Sequence, residues 1–158
     1  MTMTIKPSKY LVCVDDSDVS RMALRFACFK GARRGILIDI LHVTEKQDLQ
    51  ALGAVSDKME QEQRKAAETL LAELAAEAYE CSGITPSLWI REGDPSDEIL
   101  ELAMEDPDIN MIVLGVNPGS KSGKRVINWV TSKAGDRLLV PVMLVPANLT
   151  DQQMKELA

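Results

Sequence analysis

Residues 36–43 read Ile36-Leu37-Ile38-Asp39-Ile40-Leu41-His42-Val43, an almost unbroken apolar run. A strand open to solvent on one side alternates apolar with polar residues. Apolarity along the whole length requires cover on both faces, the situation of a central strand in a parallel sheet. Upstream, Tyr10-Leu11-Val12-Cys13-Val14 is a second such run, stopped by Asp15-Asp16-Ser17-Asp18, polar residues suited to capping a helix. Between the two, Met22, Phe26, Phe29 and Arg33, with Ala23 and Ala27, fall at helical spacing over Asp18 to Arg34, and Gly35 ends that helix.

Downstream, a linker around Gln47 to Gly53 leads into an amphipathic segment, Ser56 to Cys81, with apolar positions at Met59, Ala66, Leu70, Leu74 and Ala78. Ser82-Gly83 ends it. Ile84 to Ile90 reads as a third strand, and Pro86 places it toward an edge. Asp94 then serves as N-cap and Pro95 as first residue of a helix reaching Glu105. Asn110 to Gly115 is the fourth strand, Val116 to Lys124 a loop, Arg125 to Leu138 a fourth helix and Pro141 to Val145 the last strand. Strands alternating with helices define an α/β fold with helices covering a parallel sheet. Residues Asn148 to Ala158 either fray or add a helical turn, and the pattern leaves both open.

The 158 residues are 46% hydrophobic and 27% charged, the balance of one globular domain over 1–158 with its core at about 9–146. Lys plus Arg number 18 against 24 for Asp plus Glu, a net charge of −6 that disfavours nucleic acid and anionic membranes as partners. No run approaches the roughly 18 apolar residues of a bilayer span, and MTMTIKPSK lacks the apolar core of a secretory signal, so a cytoplasmic location is expected. Cys13, Cys28 and Cys81 are widely spaced and read as buried free thiols. With His42 as its one histidine, the chain assembles neither a metal cluster nor a His-based triad, and no catalytic residue is assigned.

In open α/β sheets ligands sit at the carboxyl ends of strands where the winding direction reverses. Two strand-end loops are equipped for that place: Asp15-Asp16-Ser17, and Gly115 to Lys124. In the second, glycines allow close backbone approach, serines and lysines donate, and a helix N-terminus follows, which together suit an anion. Gly119-Ser120-Lys121-Ser122-Gly123-Lys124 is not a Walker A loop, because its spacing is too short and Arg125 follows where Ser or Thr belongs.

The segments KYLVCVDDSDVSRMALRFA, ILIDILHV, REGDPSDEILELA and NMIVLGV, with the terminal VPVMLVP, resemble in order and spacing the universal stress protein family, across about Lys9 to Pro146. The resemblance implies an adenine-nucleotide alpha-hydrolase-like fold, an open five-stranded parallel sheet of order 3-2-1-4-5, and a homodimer joined through the last strands, here Val142 to Val145. In one branch of the family it also implies ATP bound between the first and fourth strands. That branch carries the signature G-x2-G-x9-G-[ST] after the fourth strand. Here Gly115 matches its first glycine, but Pro118, Asn128 and Trp129 stand at the other three positions. Proline removes a backbone donor, Asn128 adds a side chain, and Trp129 replaces a small hydroxyl with an indole. Asp15 and Val43 match the family's adenosine side, and Gly119, Ser120 and Gly123 are the residues left to rebuild phosphate contacts.

Three functions are compatible with this pattern. The leading one is a dimeric stress-response protein without standard ATP binding and with no tightly bound cofactor, working on protein clients. The second is an ATP or AMP sensor using Asp15, Val43, Gly115, Gly119, Ser120 and Gly123. The third, a slow ATPase or adenylyl-transfer enzyme, lacks an assembled acid, base and nucleophile.

Overall fold

The structure is a computed structural model that describes residues 7–45 and 55–158. Its elements are β1 (Lys9–Val14), α1 (Asp18–Arg34), β2 (Leu37–Thr44), α2 (Val55–Ser82), β3 (Ser87–Glu92), α3 (Pro95–Glu105), β4 (Ile109–Val116), α4 (Lys121–Asn128), β5 (Val142–Pro146) and α5 (Asp151–Leu157), with a π-helical turn at Trp129–Lys133. The expected linker at 47–53 lies outside the described residues. The five strands form one parallel sheet in the order β3-β2-β1-β4-β5. Winding reverses at β1, which pairs with β2 on one side and β4 on the other.

Two apolar layers hold the helices to the sheet. Val12, Ile40 and Val113 face α1 and α2, meeting Leu24, Ala27, Leu70 and Leu74. Leu11, Leu41 and Ile112 face the other way, toward Ile99 and Leu102 of α3 and the half-buried Val126, Trp129 and Val130. The central strands are buried on both faces, as their unbroken apolarity requires.

The exception is Asp39, in the middle of β2 and 1% exposed. Its Oδ2 accepts from Trp89 Nε1 at 3.0 Å, and Lys9 Nζ lies 3.8 Å away while donating to Asp106 at 2.9 Å. A buried carboxylate is tolerable only with such partners.

Helix ends follow the predicted chemistry at α1 and α3. Ser17 accepts from the Ser20 amide, and Gly35 takes the left-handed conformation at φ 67°, its N–H donating to Gly31 O. Asp94 caps α3 through the Asp97 amide, with Pro95 in the first turn.

Three boundaries differ from the sequence reading by three residues or more. β3 starts at Ser87 rather than Ile84, because Pro86 has no N–H to give a ladder. The fourth helix starts at Lys121 rather than Arg125, because the Ser120 hydroxyl accepts from the Gly123 amide at 3.0 Å and caps it. It does not reach Leu138: at Trp129 it widens into the π turn, which the Ala134 amide closes by donating to Trp129 O at 2.9 Å. The open question at the C-terminal end resolves as α5, capped reciprocally by Thr150 and Gln153 and anchored by Met154, which is 1% exposed. Arg25 pairs with Asp151 at its first turn.

Candidate functional site

The carboxyl ends of β1 and β4 border a cavity of about 740 Å³. Asp15 enters from the β1 end, Asp94 and Ser96 from the start of α3, and Ser122, Arg125, Asn128, Trp129 and Ser132 from α4 and the π turn. Glu45, just after β2, completes the rim.

Asp15 is tightly held. Its Oδ1 accepts from the Ser17 amide at 2.8 Å, from the Ser20 hydroxyl at 2.8 Å and from the Ser17 hydroxyl, while its own amide donates to Ser20 Oγ at 2.9 Å. Burial pushes this carboxyl up, but the Ser17 and Ser20 hydrogen bonds outweigh it and hold the group below the usual carboxylate range. Asp15 therefore fastens the turn into α1 and also presents an ionised carboxylate to the cavity.

Of the six residues expected at a nucleotide site, Asp15 is the one that lines this cavity. Val43 instead lines a separate space of about 940 Å³ between the end of β2 and α2, shared with His42, Asp16, Glu62 and Glu73. There His42 Nδ1 meets Val14 O at 2.9 Å, which ties the imidazole to β1. Gly115 has a packing reason: a Cβ there would sit 2.4 Å from Val19 O, so the glycine lets β4 pass against α1. Gly123 has another, since its Cβ would lie 1.8 Å from Asn117 O. A Cβ at Gly119 would meet only Asn117 Oδ1, at 3.9 Å.

The loop after β4 turns its donors inward. The Ser120 amide donates to Asn117 O at 3.0 Å, the Gly123 amide to Ser120 Oγ at 3.0 Å and the Lys124 amide to Ser120 O at 3.1 Å. Ser120 Oγ itself donates to Asn117 O at 2.8 Å. Pro118 contributes no N–H. Ser120 and Gly123, read as part of an anion cradle, are thus engaged in starting α4.

Trp129 packs on the sheet with Leu11, Leu41 and Ile112. Its Nε1 is, among the described residues, the buried side-chain polar atom without a hydrogen-bond partner. Of the polar residues that reach the cavity, Glu45, Asp94, Ser96, Ser122, Arg125 and Ser132 were not assigned to a site from sequence, and Asn128 was read as an obstruction. Around α4 their signal was the helical spacing of Arg125, Trp129 and Ser132, which Ser122 joins only if the helix begins before residue 122. The cavity presents carboxylates at Asp15, Glu45 and Asp94 against one cationic lining residue, Arg125, a poor field for a polyanion. Among the described residues no group of three or more His, Cys, Asp or Glu could hold a metal ion, and no helix is long and apolar enough to cross a membrane.

An open doubly wound sheet with a cavity at its reversal point is the architecture of α/β nucleotide-type folds. The sequence model described as "Universal stress protein family" matches residues 8–146, and the chain belongs to that family. Among solved structures, the universal stress protein UspA from Lactobacillus plantarum is similar at 24% identity and TM-score 0.73, covering 90% of this chain and 99% of that one. A universal stress protein family protein from Arabidopsis thaliana, with AMP bound, is 22% identical at TM-score 0.65, covering 90% and 93%. The universal stress protein from Archaeoglobus fulgidus in complex with dAMP is 20% identical at TM-score 0.65, covering 89% and 99%. At these identities the likeness carries the fold. No curated protein matches the sequence.

Proposed function

We propose that this chain is a cytoplasmic, regulatory universal stress protein that works by association with proteins, as a homodimer, and that lacks the standard grip on ATP. The observation that carries this reading is the loop after β4. Its Ser120, Gly123 and Lys124 amides are bonded within the loop and first turn, Pro118 has none, and Trp129 fills sheet-facing volume. A triphosphate needs several converging backbone donors, and these ones point elsewhere.

Dimerisation draws support from β5. It ends the sheet, with Val142, Met143 and Leu144 only half-buried and Leu139 just before them 80% exposed. An uncovered apolar edge strand invites pairing, and a two-fold partner closes it. No catalytic role is proposed.

A second reading has its own observation. The cavity beside Asp15 is roomy and carries the Arg125 guanidinium with the Ser122 and Asn128 side chains, and solved relatives are described with AMP, dAMP and cAMP. One phosphate could be met by Arg125 where three could not.

Calorimetric titration with ATP and Mg²⁺, and separately with AMP, decides between the two readings, with sedimentation analysis reporting the dimer. The proposal expects no heat up to millimolar ATP and a dimer that weakens when Leu144 becomes Lys. Micromolar ATP binding refutes it. AMP binding that disappears in Arg125→Ala establishes the second reading instead.

A further inference from the structure

The sheet has a second edge, and its composition is unusual. β3 pairs with β2 on one side and with no strand on the other among the described residues. Three consecutive residues of it, Leu88, Trp89 and Ile90, are 43%, 37% and 39% exposed. By register, Leu88 stands beside Ile40 and Ile90 beside His42, while Trp89 stands beside Leu41 on the opposite face. Apolar side chains are therefore presented above and below the edge, as in a strand that expects a neighbour.

Among the described residues, several devices that usually blunt an edge are missing. Residues 87–92 contain no Pro and no Lys, and the β2–β3 register runs without a bulge. Arg91 does not guard the edge, because its guanidinium is drawn back to Glu105 at 2.6 Å and Glu98 at 3.8 Å, and lies over the Trp89 ring. Trp89 is held in place by its Nε1 bond to the buried Asp39. A pre-positioned, half-exposed aromatic is the usual anchor of an interface.

Charge selects the occupant. Glu92 ends the strand, α3 carries Glu98, Glu101 and Glu105 around Arg91 with no Lys or Arg of its own, and Glu60 of α2 borders the groove beside Ile90, whereas Asp97 is taken up by Arg137 at 2.9 Å. The two local cations are already paired, Arg91 as above and Arg64 with Glu68. A second β3 would bring the same acids into opposition, so a copy of this chain is disfavoured. We infer that the β3 edge is a docking strand for an extended, basic segment of another protein, whose alternating apolar residues cover Leu88, Trp89 and Ile90 while Lys or Arg meets the acidic rim.

This inference rests on the association reading above and assigns it a surface. The test uses the full chain and a short synthetic peptide alternating valine with threonine and lysine, with a glutamate-for-lysine version as control. Binding is followed by titration, and its position by amide hydrogen exchange. The lysine peptide is expected to bind, to slow exchange across 87–92, to weaken with added salt, and to lose about tenfold or more in affinity in Leu88→Lys. That position is exposed enough to leave the thermal transition in place. Equal binding of the glutamate peptide, protection at β5 instead, or indifference to Leu88→Lys overturns the inference. So does a free protein whose self-association is abolished by Leu88→Lys, since the occupant is then a second copy. ATP is titrated in parallel. Absence of both peptide and ATP binding refutes the edge alone, whereas ATP binding refutes the association reading as well.

Discussion

Replacing Met154 with Ala tests whether α5 is an integral part of the core. A seven-residue helix has no stability of its own in water, so α5 exists because it is docked. Besides the Lys155 ammonium over the Phe29 ring, three kinds of contact hold it, and their expected magnitudes differ. Met154 is 1% exposed within the α1-side cluster, and Met→Ala at such a site costs about 2–5 kcal/mol. The Thr150 cap, accepting from the Gln153 amide at 3.2 Å, is worth about 1 kcal/mol. The Arg25–Asp151 pair, with side chains 27% and 51% exposed, contributes about 0–1 kcal/mol. In a chain of this length each kcal/mol moves Tm by about 2–4 °C. At about 3 kcal/mol, Met154→Ala is therefore expected to lower Tm by about 6–12 °C, Thr150→Ala by about 2–4 °C, and Asp151→Ala by less. Thermal unfolding followed by circular dichroism, with all three variants in one buffer, gives the ranking. A Met154→Ala shift no larger than that of Thr150→Ala would mean that α5 is not seated in the core in solution.

Gly115→Ala should destabilise by about 1–3 kcal/mol or more, because the new methyl meets Val19 O at 2.4 Å, while Gly119→Ala, with only Asn117 Oδ1 at 3.9 Å, should be near neutral; urea midpoints compare them. Asp15 has a folded pKa below its ordinary 3.8, so its stabilising contribution is present above that pH and lost as pH falls through the folded value. The stability curves of the wild type and Asp15→Asn should accordingly converge on acidification, and parallel curves would contradict the assignment. Burial pushes the Cys28 thiol up to about 12 and raises Cys13 and Cys81 as well, so native-state alkylation near pH 8 should be slow and should reach half-buried Cys81 before Cys28. Cys28 modified first would refute that burial order.

The sheet and its alternation were legible because they are written in local periodicity. The Ile36 to Val43 run announces a strand covered on both faces, and Asp94-Pro95 announces a helix start. The loop after β4 was harder, for a reason of chemistry rather than pattern. A serine hydroxyl that caps a helix and one that binds an oxyanion are the same group, and only the 3.0 Å from the Gly123 amide to Ser120 Oγ assigns it to the cap. That misplaced start left Ser122 off the face that Arg125 and Ser132 share. Asp39 could be seen to lie in a buried strand, but its partner Trp89 is 50 positions away, and no local rule connects them.

Asp39 also bears on alignment. A strand apolar on both sides could slide one position along its neighbours and still bury hydrophobic groups, so its pattern alone does little to select one pairing. In β2 such a slip would turn the carboxylate from the α3 side, where Trp89 and Lys9 meet it, into the apolar layer of Leu24, Leu70 and Leu74. An ion stranded there without a donor costs several kcal/mol. The one polar residue at the heart of the strand thus acts as an index mark: it contributes little to how firmly the sheet holds and a great deal to which of its near-equivalent alignments is allowed.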